Sequence, residues 1–177
     1  MIPPTLETSR LSLRAHALAD FEAVAAMWAD PEVVRYIGNR PSTREESWSR
    51  LLRYRGHWEV LGFGFWAIVE RASGAYVGDL GIAEFHRDLD VPLGVEAGWA
   101  IARAAWGKGF ATEALRAAIA WAAAHVAARE LDAMIEPANA ASLRVAHKCG
   151  FAEFARTTYR GDEVVLLRAP LQSPAHT

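Results

Sequence analysis

The hydrophobic pattern of this chain predicts an α/β (α+β) fold in which helices flank one mixed, mostly antiparallel sheet. Two observations carry that prediction. Short strand-like segments follow one another as hairpins, which need antiparallel neighbours, near residues 65–82 and 153–168. One long helix-like segment at residues 109–128 separates two further strands as a β-α-β crossover, which needs a parallel pair. The predicted order is β-α-α-β-β-β-α-β-α-β-β.

The first half of the chain contains the expected first strand and two helices. Leu11–Arg14 alternates apolar and polar residues, as a half-buried strand does. Asp20 is expected to cap a helix whose apolar residues recur at spacings of three and four. A capping-box pattern at residues 42–45 predicts the start of a second helix, and Gly62 predicts its end. Two hairpin strands follow at residues 65–69 and 76–82.

The second half alternates strands with helices and then closes on a hairpin. A strand is expected at residues 95–101, followed by the Ala-rich helix 109–128, which has no internal glycine or proline. The remaining predicted elements are a strand at 131–135, a helix at 142–149, and hairpin strands at 153–159 and 164–168. No repeat or linker interrupts the pattern. A single domain spanning residues 1–177 is therefore expected, with a core of about residues 5–171 and a frayed tail at 172–177.

Composition and charge argue against several classes of protein. The chain has 177 residues, 52% of them hydrophobic, and no run of about 18 apolar residues. Its net charge of −2 and its single cysteine argue against nucleic-acid binding and against a disulfide framework. The first residues lack the features of a signal peptide. We therefore expect a cytoplasmic protein with no nucleic-acid or membrane partner, and a homodimer if it assembles.

A glycine-containing loop lies where the strand at 95–101 gives way to the Ala-rich helix. Gly107 and Gly109 permit close backbone approach, and the amides that open the helix would lack helical acceptors. Such amides, aided by the helix dipole, bind phosphate. The loop is not a Walker loop, because Lys108 is followed by a glycine instead of Ser or Thr. It is not a dinucleotide fingerprint either, because Thr112 takes the place of the third glycine.

Two sequence blocks around this loop resemble the GNAT superfamily of N-acetyltransferases. Residues 98–101 and 106–114 resemble its acetyl-CoA signature, and residues 139–151 resemble its segment after the fifth strand. Residues 6–11 and 30–33 are similar to the RimJ/RimL branch, which acetylates protein N-termini and various small amines. The resemblance covers about residues 5–171. It implies a GNAT-like domain that uses acetyl-CoA as co-substrate, and no metal is expected.

The resemblance also implies which residues hold the cofactor. Pantetheine would pair with the strand at 95–101, pyrophosphate would lie on the glycine loop, and Asn139 would bind pantetheine amides. The expected cofactor-binding residues are Ile101, Arg103, Trp106, Gly107, Lys108, Gly109, Phe110, Ala111, Thr112, Asn139 and Ser142. Two positions depart from the family pattern. Trp106 replaces a Gln or Arg, and Ala146 replaces a tyrosine that many members use as general acid.

Acyl transfer to an amine needs a base that neutralises the amine and a group that protonates the leaving thiolate. Ser142 is the candidate partner of the sulfur, although a serine that opens a helix also fits an N-cap. Glu96 and Glu84, at the ends of predicted strands, are the candidate bases, with His86 as a third option. The candidate acceptor-binding residues are Tyr36 and Trp66.

Direct attack of the amine on the thioester, in a ternary complex, is the expected mechanism. Cys149 has no activating partner nearby in the sequence and fits core packing, and no Gly-x-Ser-x-Gly motif marks a serine nucleophile. The acceptor is expected to be a protein N-terminal α-amine or a small-molecule amine. The alternative is a non-catalytic acyl-CoA-binding sensor or interaction module, since the sequence contains neither the family's tyrosine nor an unambiguous base.

Overall fold

Eight strands and five α-helices occur within residues 3–171, which are the residues that the computed structural model describes. The strands are β1 (Leu6–Glu7), β2 (Leu11–Arg14), β3 (Phe65–Glu70), β4 (Tyr76–Ala83), β5 (Glu96–Ile101), β6 (Glu130–Ile135), β7 (Ala152–Tyr159) and β8 (Asp162–Pro170). The helices are α1 (Phe21–Ala29), α2 (Pro31–Val34), α3 (Arg44–Leu61), α4 (Phe110–His125) and α5 (Ala140–Lys148). The prediction of a frayed tail at 172–177 lies outside the described residues.

The strands form one sheet in the order β1-β2-β3-β4-β5-β6-β8-β7. Every neighbouring pair is antiparallel except β5 and β6, which are parallel because α4 connects them as a crossover. This confirms the predicted mixed, mostly antiparallel sheet flanked by helices. The predicted order lacks β1 and α2, which are two and four residues long and too short to show a period.

The helices pack on both faces of the sheet because side chains alternate between the faces along each strand. On one face, Leu80 and Leu131 belong to the same core as Ala114 and Ala118, the small buried residues of α4. On the other face, Ala100 packs against α1, α2 and α3. Strand β5 therefore lies at the centre of the molecule, between the two helix layers. No helix within residues 3–171 is long and apolar enough to span a membrane.

Two helix starts differ from their predicted form. Asp20 makes no side-chain cap on α1. Its carboxylate instead accepts two hydrogen bonds from Arg14, at 2.7 Å each, and one from the Ala17 amide. The capping box of α3 pairs Thr43 with Glu46, so that the helix begins one residue later than predicted. Gly62 ends α3 as predicted, in the left-handed conformation with φ at 77°.

Trp66 does not line a cleft, and the prediction that it binds the acceptor is wrong. Its side chain is fully buried, and its indole N–H donates to the Pro4 carbonyl at 2.9 Å. The ring lies edge-on to Trp58 of α3 and Trp121 of α4, with centroids 4.8 and 5.2 Å away. Three large aromatic rings from two helices and the sheet thus bury one another. Their role is to hold α3 and α4 against β3.

Candidate active site

The parallel strands β5 and β6 separate almost as soon as they meet. They pair at Glu96 and Asp132 alone, where the Asp132 amide donates to the Val95 carbonyl at 2.9 Å. Strand β4 pairs with the other edge of β5 as far as Ile101, and β8 pairs with the other edge of β6. Within residues 3–171, no strand pairs with either of the two facing edges beyond Glu96, and we call the gap between these diverging edges the cleft. Backbone groups along such an edge can pair with an extended ligand as if it were an added strand.

The glycine loop lies beyond the carboxyl end of β5, at the start of α4. Gly107 and Gly109 have φ angles of 75° and 80°, a left-handed conformation that favours glycine. The Glu113 amide donates to the Gly109 carbonyl at 3.2 Å, and the amides of residues 110–112 precede this first helical bond and have no helical acceptor. A Cβ at Gly107 would meet no atom within 4 Å, so the loop is open to a ligand. This arrangement fits a pyrophosphate group.

Trp106 ties the glycine loop to the end of β5. Its indole N–H donates to the Ile101 carbonyl at 2.7 Å, while 47% of the side chain is exposed. The tryptophan that replaces the family's Gln or Arg therefore occupies one of the two backbone groups of Ile101. Arg103 is exposed and lies past β5, in a single 3-10 turn at Arg103–Ala105. Of the two residues expected to contact pantetheine, Ile101 is the last residue of β5, and Arg103 lies between β5 and the glycine loop.

The segment before β2 is clamped onto the glycine loop through Glu113. The Glu113 carboxylate accepts hydrogen bonds from the Thr8 hydroxyl at 2.7 Å, from the Ser9 hydroxyl at 3.0 Å and from the Arg10 amide at 2.9 Å. The Arg10 guanidinium binds the same carboxylate at 2.6 Å and donates to the Lys108 carbonyl at 2.9 Å. Burial acts to raise the pKa of Glu113, but the hydrogen bonds from Thr8, Arg10 and Ser9 outweigh it and lower that pKa to about 2.

Sequence reasoning did not find this clamp. Thr8, Ser9 and Arg10 belong to the block that is similar to the RimJ/RimL branch, and Glu113 belongs to the glycine-loop block. The two blocks lie about a hundred residues apart in the chain, with separations of 103 to 105 for these bonds. The sequence shows only that both blocks are present, and this does not indicate that they contact each other in the fold.

Asn139, and not Ser142, caps helix α5. The Asn139 side-chain oxygen accepts from the Ser142 amide at 3.0 Å. Ser142 is the third residue of the helix and half-buried, and its hydroxyl forms no hydrogen bond within residues 3–171. Ala146, at the position of the family's tyrosine, is fully buried in the same core as Phe151. Helix α5 thus presents one uncommitted hydroxyl, that of Ser142.

The two candidate bases have different surroundings. Glu96 is 4% exposed, and both of its carboxylate oxygens accept from Arg87 Nε, at 2.8 and 2.9 Å. Burial raises the pKa of Glu96, while the charge and hydrogen bond of Arg87 act in the opposite direction. Glu84 is half-exposed, and the imidazole of the exposed His86 lies 3.6 Å from its carboxylate. Glu96 is thus one of two buried carboxylates where β5 and β6 diverge, and the other, Asp132, is bound by Arg168.

Two further side chains, Arg87 and Tyr36, differ in how they are placed relative to Glu96. Arg87, which the sequence did not single out, is held between the rings of Phe85 and Tyr159, with its guanidinium carbon 4.5 and 5.1 Å from their centroids. Tyr36 follows α2 and is half-buried, with the Arg35 guanidinium 5.4 Å from its ring centroid. Within the described residues, no hydrogen bond or ring contact joins Tyr36 to the Glu96–Arg87 pair, whereas the Tyr159 ring packs against the Arg87 guanidinium.

The single cysteine is unsuited to nucleophilic chemistry. Burial raises the pKa of the Cys149 thiol, and the neighbouring Arg116 offsets this only in part. The Cys149 sulfur lies 3.8 Å from the Thr112 carbonyl, to which it donates a weak hydrogen bond. Its thiol therefore stays protonated at neutral pH.

Comparison with known proteins agrees with this geometry. Residues 10–152 match the model of the acetyltransferase (GNAT) domain. An uncharacterized N-acetyltransferase of Bacillus licheniformis, p20, is 28% identical over 149 residues, which are 83% of this chain and 82% of that protein. A solved structure described as a GnaT-family acetyltransferase of Bordetella pertussis superposes with a TM-score of 0.81 at 30% identity, covering 94% of this chain and 99% of the other.

A more distant structure shares the fold and holds the cofactor. RimL, a ribosomal L7/L12 α-N-protein acetyltransferase in complex with coenzyme A, superposes with a TM-score of 0.78 at 14% identity, over 97% of this chain and 100% of the other. This likeness shows the fold alone. The family match covers most of the chain and favours an enzyme over the alternative of a non-catalytic sensor. The chain belongs to the GNAT acetyltransferase family and is an acyltransferase.

Proposed function

We propose that this chain transfers an acetyl group from acetyl-CoA to an amine, by direct attack of the amine within a ternary complex. One observation carries the proposal. The cleft that opens between β5 and β6 starts at a buried carboxylate, Glu96, and leads to the free amides of the glycine loop. A cleft with a phosphate site at one end and a buried base at the other suits a long phosphorylated thioester whose reacting end is remote from its phosphates.

The chain's backbone would hold the cofactor. The amides of residues 110–112 and the dipole of α4 bind the pyrophosphate, and the free edge of β5 binds the pantetheine amides. Ser142 presents its uncommitted hydroxyl from α5, the helix that directly follows β6. That hydroxyl is suited to donate to the departing sulfur and so to help protonate the thiolate. Acetyl-CoA supplies the activated acyl group.

Glu96 would accept the proton of the attacking amine. A buried carboxylate with a raised pKa binds a proton more readily near neutral pH than an exposed one does. The demand on this base depends on the acceptor. An α-amine with a pKa of about 7.7–8.0 is about 10–17% neutral at pH 7, whereas a lysine amine near 10.4 is about 0.04% neutral. Such a site favours an α-amine of a protein N-terminus or a small molecule.

Direct attack follows from the state of the thiol. Because burial raises the pKa of Cys149, the chain offers no cysteine thiolate to carry an acyl group. A neutral amine is itself nucleophilic, and correct positioning can supply up to about 7–11 kcal/mol of the barrier reduction. Ping-pong kinetics, or an acetylated Cys149 that forms and decays at the catalytic rate, would show that the transfer is not direct.

Calorimetric titration with CoA tests the cofactor site. A tryptophan at Gly109 would strain the left-handed turn that leads into the α4 amides and would place its Cβ 3.6 Å from Arg10 Nη2, so Gly109→Trp is expected to weaken CoA binding by at least about tenfold. Gly62→Trp is the matched control, because Gly62 has a similar φ of 77° and open space around it but ends α3. The control should bind CoA as the wild type does. Equal CoA affinities for wild type and Gly109→Trp, or tighter binding of NAD or ATP than of CoA, would contradict the proposal.

A further inference from the structure

A surface depression of about 320 Å³ lies beside the Glu96–Arg87 pair. It is formed by the segment that follows β4 and by the tip of the β7–β8 hairpin. Its lining residues are Phe85, His86, Arg87, Asp88, Tyr159 and Arg160. Because Arg87 binds Glu96 directly, whatever occupies this depression lies next to the base of the proposed reaction.

Arg87 presents an unused hydrogen-bonding edge to this depression. Its Nε donates to Glu96, and its guanidinium is held between the rings of Phe85 and Tyr159. Its two Nη groups have no hydrogen-bond partner within residues 3–171. A guanidinium that is fixed in orientation and has both Nη groups free matches the two oxygens of a carboxylate.

The backbone around the depression is held in unusual conformations. Within the described residues, three non-glycine residues have a positive φ, and two of them, His86 at 46° and Arg160 at 53°, line this depression. Arg160 and Gly161 form the two-residue turn between Tyr159 and Asp162, which needs a positive φ at both positions. An arginine at such a position is strained relative to the Asn or Gly that the turn prefers, and strain of this kind clusters at functional sites.

Arg160 adds a second cation at the same place. Its guanidinium carbon lies 5.2 Å from the Tyr159 ring centroid, and it forms no ion pair within the described part of the chain. Arg87 is already paired with Glu96, whereas no carboxylate of residues 3–171 lies within ion-pair distance of Arg160. Asp88 lies in the same depression, and His86 pairs with Glu84 at its rim. The lining is therefore of mixed sign, with two guanidinium groups, those of Arg87 and Arg160, and one carboxylate, that of Asp88.

We propose that this depression binds a carboxylate of the acceptor, so that the preferred acceptors are amines that carry a carboxylate a few bonds from the reacting nitrogen. The carboxylate binds the Nη edge of Arg87 and is covered by Arg160, while the amine lies toward Glu96. The role of the site in acceptor choice rests on the proposed acetyl transfer, but binding of a carboxylate there can be measured without turnover.

The test measures binding to the CoA-saturated protein by calorimetry, with pairs of amines that differ in the carboxylate. β-Alanine is compared with propylamine, and γ-aminobutyrate with butylamine. A peptide pair, Ser-Glu-Ala amide and Ser-Gln-Ala amide, distinguishes a side-chain carboxylate near a peptide N-terminus from the carboxylate of a free amino acid. The carboxylate-bearing member of at least one pair is expected to bind at least about tenfold more tightly.

Two arginine variants test whether this depression causes the preference for carboxylate-bearing amines. Arg160→Gln is expected to reduce the preference within each pair about threefold or more, and Arg87→Gln to abolish it. Because Arg87→Gln leaves Glu96 without its partner, Arg160→Gln, which keeps that pair intact, is the decisive variant if Arg87→Gln does not fold. Arg156→Gln is the control, since Arg156 lies on β7 and pairs with Glu153 and Glu163. It should leave the preference unchanged.

The outcomes separate the two proposals. If no carboxylate-bearing amine binds better than its partner, or if Arg160→Gln and Arg87→Gln keep the full preference, the carboxylate site is wrong. If thiol release from acetyl-CoA stays at the hydrolysis background with every amine while the binding preference holds, the acetyl-transfer proposal fails and the carboxylate site stands.

Discussion

The two ends of the cleft between β5 and β6 are built in different ways. At the proposed cofactor end, the groups are the backbone amides of residues 110–112, and the loop before them depends on two left-handed glycines. At the proposed acceptor end, the groups are side chains from separate segments: Glu96 from β5, Arg87 from the segment after β4, and Tyr159 from β7. The difference teaches that a site made of backbone is local in sequence, whereas a site made of side chains depends on the tertiary fold.

Substitution of the buried base is expected to have the largest effect and to act at the acceptor end alone. Glu96→Gln should lower kcat by about 10²–10⁴-fold, because proton transfer is lost, and leave CoA affinity unchanged. Since burial raises the pKa of Glu96, wild-type kcat/KM should fall, as pH decreases, at a higher pH than an ordinary glutamate would give. Rates measured across pH, together with CoA titrations, check both points.

Glu84→Gln is the matched comparison for Glu96→Gln. Glu84 is half-exposed and bound only to the exposed His86, so its substitution should change kcat far less. A larger loss with Glu84→Gln than with Glu96→Gln would assign the base to Glu84 and break the proposed division between the two ends.

Substitution of Ser142, which is proposed to act between the two ends of the cleft, is expected to have an intermediate effect on kcat. Ser142→Ala should lower kcat by about 10–100-fold, because the leaving sulfur loses a hydrogen-bond donor, while CoA affinity changes little. The Asn139 cap of α5 accepts from the Ser142 amide, which the alanine variant retains, so the helix should stay intact. Steady-state rates with a saturating amine and a CoA titration separate the two quantities. An unchanged kcat would leave Ser142 a structural residue.

Removal of the clamp on the glycine loop is expected to have the smallest effect and to act at the cofactor end. Glu113→Gln should weaken CoA binding by a few-fold, since Arg10 and Thr8 no longer hold the loop as firmly, and should leave kcat at saturating acetyl-CoA nearly unchanged. The pKa of Glu113 is lowered to about 2, so its contribution to stability is present at neutral pH. That contribution is lost as pH falls from the ordinary glutamate range toward 2.

Thermal unfolding measured as a function of pH tests whether the stabilisation by Glu113 is lost as the pH falls. The wild type should have a higher Tm than Glu113→Gln at pH 7, and the difference should shrink as the pH approaches the folded-state pKa of Glu113. Glu45→Gln, on the exposed side of α3, serves as the control and should show no such trend. A Tm difference that stays constant down to low pH would mean that the clamp acts through packing and not through charge.

The local features of the chain could be predicted, and those that depend on a distant partner could not. The hairpins, the Ala-rich helix and the glycine loop each follow from short-range pattern, and the structure has all of them. The caps were predicted less well, because Asp20 binds Arg14 instead of capping α1 and Asn139 takes the place that fits Ser142. Several polar residues near a helix start compete for the same role, and only the folded backbone selects one.

By itself the sequence determined the mixed sheet, its crossover and the glycine loop at the start of α4, because period, glycine conformation and helix ends are properties of neighbouring residues. The tertiary structure alone decided which tryptophan is core, that Glu113 holds the segment before β2, and that Arg87 binds Glu96 beside the hairpin tip. Those contacts join segments that are far apart in the chain. Burial and pairing are established only when such segments meet. They in turn raise the pKa of Glu96 and leave the Nη groups of Arg87 without a protein partner within the described residues.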